Sequence, residues 1–167
     1  LGRVVAEQVI GALSKVTTVT VLPSSTVLPA SAGGGDASSR EDPVRALAES
    51  NGAGTVVSGS YHVAGPDVQI QATVTDVTAG RLLWPIAPAS APKERAGDAV
   101  NAVREQVLDV VAPRFHSPMF DMLRFETRPP RFEAYQAFLR SHFTPDGLPA
   151  SIEHDRRALE LDPDFQF

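Results

Sequence analysis

The sequence predicts an α/β fold: helices packed on a mixed sheet with an antiparallel three-strand meander, plus a C-terminal helical hairpin. Three observations predict it. Apolar residues recur at helical spacing in 1–13 and again in 98–112. Between them, 55–84 carries strand patterns separated by two turns. Beyond a proline-bounded stretch, two more helical patterns flank Pro145, Asp146 and Gly147, a turn signal.

The elements follow in order. Leu1, Val5, Val9 and Leu13, joined by Val4 and Ile10, form one face of a first helix. Residues 17–22 are rich in β-branched side chains and read as a strand ended by Pro23. Residues 28–41 are Ala, Ser and Gly with three successive glycines, too little apolar surface to offset ordering, so a mobile loop is expected. Asp42 and Pro43 supply an N-cap and a first helical residue, and Asn51-Gly52 a stop. Residues 55–63 form a strand with Val57, Gly59, Tyr61 and Val63 on one face. After a turn at 64–67, Val68, Ile70, Ala72 and Val74 alternate with Gln69, Gln71, Thr73 and Thr75, which marks a half-buried strand with one wet face. A turn at 76–80 leads into Arg81, Leu82, Leu83 and Trp84, and Pro85, Pro88 and Pro92 end the sheet. Asp98 is a candidate N-cap for a helix with Val100, Val103, Val107 and Val110 on one side, reaching Ala112. Helices are expected at 132–141 and 150–161. The expected organisation is an α/β domain over 1–112, a linker over 113–130 and a helix pair over 131–167.

Composition narrows the function. Of 167 residues, 43% are hydrophobic and 21% charged, which excludes disorder along the whole length. The chain has no cysteine, so disulfides, thiolate metal sites and thiol nucleophiles are excluded. A net charge of -5 argues against an electrostatic grip on nucleic acid or anionic lipid. No apolar run approaches the roughly 20 residues that span a membrane. The first residue is Leu and no basic segment precedes an apolar stretch, so no signal peptide is expected in these residues, and the end at Phe165-Gln166-Phe167 reads as unfinished. A piece of a longer protein is expected.

Gly52, Gly54 and Gly59 follow a helix and enter a strand, the reverse of a phosphate-binding loop. His62, His116, His142 and His154 show no helical i, i+4 pairing, so surface histidines are the better reading than a metal site. Ser58-Gly59-Ser60 lies within a strand, where no nucleophile elbow can form. Asp67 and Asp76 flank turns, which explains them without catalysis. The expectation is therefore no catalytic residue, no cofactor and no metal. Trp84 could stack a ligand or anchor a partner, but at a strand end it more often caps a core. Trp84 with Tyr61, and the terminal Phe165 and Phe167 read as exposed, are the candidate partner contacts.

Several stretches carry a resemblance. Val4 to Val16 form an opening helix before Val19-Thr20-Val21-Leu22-Pro23-Ser24-Ser25. Then Ala46-Leu47-Ala48-Glu49-Ser50-Asn51-Gly52-Ala53-Gly54 leads into Val56-Val57-Ser58-Gly59-Ser60-Tyr61. A hairpin, a strand ending in Asp76, and Thr78-Ala79-Gly80-Arg81-Leu82-Leu83-Trp84 follow. In this order residues 1–112 resemble the TolB amino-terminal-like domain of bacterial adenylate cyclases, Ser/Thr kinases and winged-helix regulators. That family usually begins with a further strand, absent here, which would leave an unpaired sheet position. Phe132-Glu133-Ala134-Tyr135-Gln136-Ala137-Phe138-Leu139 and Arg157-Ala158-Leu159-Glu160-Leu161-Asp162-Pro163 resemble the two helices of a first tetratricopeptide repeat. Ser141 stands where glycine is usual, and Asp155 replaces a packing aromatic. A single repeat cannot bury its own face.

The resemblance implies a non-catalytic sensor or interaction region of a larger bacterial signalling protein, with any kinase or cyclase activity in another domain. It implies a protein partner, allows a homo-oligomer, and favours the extracytoplasmic side of an inner membrane over the cytoplasm. Two other classes stay open. One is an envelope-assembly or periplasmic scaffold module, since TolB itself is periplasmic. The other is a small-molecule enzyme, which would need a pocket of convergent polar groups.

Overall fold

Strict alternation in the sequence becomes strict alternation in burial. Strand β2 (Asp67–Asp76) buries Val68, Ile70, Ala72 and Val74 at 8% exposure or less, while Gln71 and Thr73 face solvent. It is the centre of a four-stranded sheet in a computed structural model that describes residues 1–27, 43–116, 129–143 and 148–165. The chain divides into two units, Leu1–Val107 and Leu108–Phe167.

In the first unit, helix α1 (Gly2–Leu13) buries Val9, Ala12 and Leu13. Helix α2 (Pro43–Asn51) begins at the expected proline. It stops at Gly52, whose φ of 63° only glycine adopts freely, while the Asn51 amide donates to the Leu47 carbonyl. Strand β1 (Thr55–Ala64) pairs antiparallel with β2 over all ten residues, from Thr55 opposite Asp76 to Ala64 opposite Asp67. The two-residue Gly65-Pro66 loop closes this hairpin, with Gly65 at φ 60°. The next turn is held by Asp76, whose Oδ1 accepts the Ala79 N–H at 2.9 Å. Strand β3 (Arg81–Pro85) completes the expected meander.

Three features differ from expectation. Residues 17–22 are not a strand. The chain leaves α1 through tight turns, in which Val16 N–H donates to Leu13 and Val19 N–H to Val16, and these sink Val16 to 3% exposure. A β-branched run is competent for a ladder but needs a partner strand, and none lies beside it among the described residues. The described sheet is accordingly antiparallel throughout.

A fourth strand lies where prolines were expected to end the sheet. Strand β4 (Ala89–Pro92) pairs with β2 from Asp67 to Ile70. Its Ala-Ser-Ala-Pro sequence has low strand propensity, but small Ala89 and Ala91 fit against the core, and proline is tolerated on an edge strand.

Helix α3 (Ala96–His116) is the third difference. A 3-10 turn, Lys93–Arg95, precedes it, so Asp98 lies in the first helical turn and is not the N-cap. The helix also runs through Pro113 instead of ending at Ala112, so the start of the expected linker is helical. Proline deprives the Asp109 carbonyl of its usual donor. Burial of Val110, Val111, Ala112 and Pro113 together offsets that loss.

In the second unit, helix α4 (Phe132–Phe143) packs on helix α5 (Leu148–Leu161). Ala134, Tyr135, Ala137, Phe138, Ala158 and Phe165 form its core. Two carboxylates secure the start of α4. Asp162 Oδ2 accepts the Arg131 N–H at 2.9 Å, and Asp109 Oδ1 accepts the Phe132 N–H at 2.7 Å. The Ser151 hydroxyl donates to the Ser141 carbonyl and ties α5 to α4. The loop expected at 28–41, the cap at Asp42 and the turn at 145–147 lie outside the described residues.

Candidate functional site

The sheet register places Tyr61 and Trp84. Tyr61 stands opposite Ile70 and Trp84 opposite Val74, so both lie on the face that carries the buried row of β2. A bulge makes this so for Trp84. Thr75 pairs with Leu82 but Val74 with Trp84, so Leu83 is the extra residue. Leu82 thus falls on the wet face at 51% exposure, and Trp84 returns to the core face, half-buried.

Tyr61 and Trp84 do not form one site. Four residues along β2 and two inter-strand steps separate them by about 16 Å. Tyr61 is 46% exposed and borders the start of α1: a Cβ on Gly2 would lie 3.4 Å from its ring. Phe165, expected to be exposed, is 4% exposed. Its ring meets Phe138 edge-on at 5.5 Å between centroids, because the core of the helix pair has room for one more aromatic beside α4. Phe165 is thus a core residue of its own unit. Phe167 lies outside the described residues.

The surface of α5 supplies what the sequence reading missed. Leu148, Ile152 and Leu159 are 76%, 61% and 44% exposed. At about 100° per residue they fall within roughly 40° of one another, so they make one stripe. Asp155 lies on its inner flank. Its Oδ1 is buried without a hydrogen-bond partner. The stripe was legible as an i, i+4, i+11 spacing, but which side of α5 meets α4 was not.

Other chemistry is sparse among the described residues. A shallow cleft of about 340 Å³ lies between the end of α2 and the β2–β3 turn, lined by Arg45, Glu49, Gly52, Gly54 and Thr78 among others. Glu49 is engaged by Arg45 at 2.7 Å. The helix presents its carbonyl end there, which disfavours anions. His62 and His142 are exposed and His154 is half-buried. The His142 Nδ1 lies 2.6 Å from the Ser141 hydroxyl, and its ring packs on Phe138. No three His, Asp or Glu side chains gather as a metal-ligand set among the described residues. Burial raises the pKa of the Tyr135 phenol above its ordinary value.

The chain matches no family model, no curated protein and no solved structure. The arrangement of its own residues is therefore what bears on function. No helix among the described residues is long and apolar enough to cross a membrane.

Proposed function

We infer that this chain is a non-catalytic sensor or interaction region of a larger bacterial signalling protein. In this reading the α/β unit is a TolB amino-terminal-like domain that binds a ligand or partner. The helix pair is the first tetratricopeptide repeat, and it recruits protein. The observation that carries the reading is the stripe of Leu148, Ile152 and Leu159 on α5. A stacked helical repeat presents such a stripe to the next helix, since each repeat buries its face only against a neighbour. An amphipathic helix laid on α5 would cover these three side chains through i, i+4 anchors of its own.

The test is a photo-crosslinking residue placed at Ile152 in cells that produce the protein, with Arg157 on the opposite side of α5 as the control position. A discrete adduct from position 152, lost when Leu148 and Leu159 become Asp, is the expected result. No adduct, or equal capture from position 157, overturns the reading.

A further inference from the structure

Strand β1 is a sheet edge. It pairs with β2 on one side, and no strand borders its other side among the described residues. Natural edges of this length are ordinarily blunted by lysine, proline, a bulge or a covering element. β1 has none of the first three: its ten residues hold no Lys, Arg, Asp or Glu and no proline, and its ladder to β2 has no register shift. From Gly59 to Ala64 every residue is exposed, including Tyr61 at 46% and Val63 at 53%. These two apolar side chains lie on the core face of the sheet, where an added strand would cover them.

We propose that β1 pairs antiparallel with β1 of a second copy of this chain, which joins two four-stranded sheets into one continuous sheet. Three arguments commit the edge to a copy of itself. First, the strand holds no Asp, Glu, Lys or Arg, so self-pairing sets no such like charges against each other across the seam even though each chain carries a net charge of -5. Second, face parity restricts the register. Only registers that set odd-numbered residues opposite odd-numbered ones keep both core faces on the same side of the joined sheet. Third, one such register solves a local defect. Gly59 has no side chain because a Cβ there would lie 2.4 Å from the Gln71 carbonyl oxygen of β2, so its exposed backbone carries no side-chain cover of its own. With Ser60 opposite Ser60 of the second copy, Tyr61 stands opposite Gly59 and Val63 opposite Val57. An aromatic ring then covers each glycine, a recognised rescue of glycine in sheets. Nine residues of each strand, 56–64, take part. A register centred on Gly59 would set the two glycines opposite each other and leave both uncovered.

The inference is independent of the helix-pair surface, which lies in the other unit. The chain has no cysteine, so single-cysteine variants report proximity between copies without background. Sedimentation equilibrium of the purified chain should show a monomer–dimer equilibrium. Ser60→Lys sets two like charges opposite each other at an exposed position and should raise the dimer Kd about tenfold or more, with an unchanged circular dichroism spectrum. Ser60→Cys should crosslink to itself with a short bismaleimide. A mixture of Ser58→Cys and His62→Cys chains should crosslink more than either alone. A monomer at all concentrations overturns the proposal, as does a dimer that Ser60→Lys leaves intact. Crosslinking of Ser58→Cys alone in preference to the mixture overturns the register.

Discussion

Gly59 shows how one missing side chain can set both a fold and a surface. The Gln71 carbonyl oxygen occupies the space a β-carbon would need, so Gly59→Ala must push two paired backbones apart. A loss of about 1–3 kcal/mol in urea denaturation is expected, as for other overpacked sites. Asp155 errs in the opposite direction. Its Oδ1 is buried without a partner, and such a group costs about 1–3 kcal/mol. Asp155→Leu should therefore raise the denaturation midpoint rather than lower it. Tyr135 has a pH signature. Burial raises its pKa in the folded state, so above pH 10 the unfolded chain releases a proton that the folded chain retains. Stability should then fall as pH rises from 10 towards the folded pKa. Thermal melts between pH 9 and 11 test this, and Tyr135→Phe should flatten the slope.

At the scale of elements, the start of α4 depends on side chains far away in sequence. Asp162, 1% exposed, and Asp109 each accept a backbone N–H there. Asp162→Ala strands the Arg131 donor, and a cost of about 1–3 kcal/mol is expected in equilibrium unfolding. Such long-range caps are invisible to a local reading, whereas the first residue of α2 and its glycine stop are legible because proline and glycine act on their own backbone. The same division runs through the sheet. The hairpin and meander were legible because alternation in β2 is a direct image of one wet and one dry face. β4 was not, since alanine and serine carry little pattern and its place depends on what β2 leaves open. Pro113 reads as a stop because its local cost is visible in the sequence and the compensating burial is not. For the candidate contacts, parity would have put Tyr61 on the core face of β1. The bulge at Leu83 that does the same for Trp84 leaves no sequence mark. The burial of Phe165 required knowing that the α4–α5 core had an unfilled place.

For the molecule as a whole, self-association through β1 carries a thermodynamic signature. A state stabilised by pairing gains stability with concentration. The Tm of the chain should climb as protein concentration is raised a hundredfold, and the Tm of Ser60→Lys should stay flat. A flat Tm for both would set the edge aside as an interface. The acidic balance of the chain, -5 overall, acts elsewhere on the surface and screens with salt, so raising ionic strength should tighten pairing rather than weaken it.

The Gly65-Pro66 loop has a kinetic consequence. Two residues join strands that pair along their full ten-residue length, so the largest block of sheet contacts forms after closure of the smallest loop. Loop closure is the entropic step that slows sheet formation. The hairpin is therefore the expected nucleus. Destabilising substitutions at Val68 or Ile70 should slow refolding, whereas those in β4, whose strand must wait for β2, should chiefly speed unfolding.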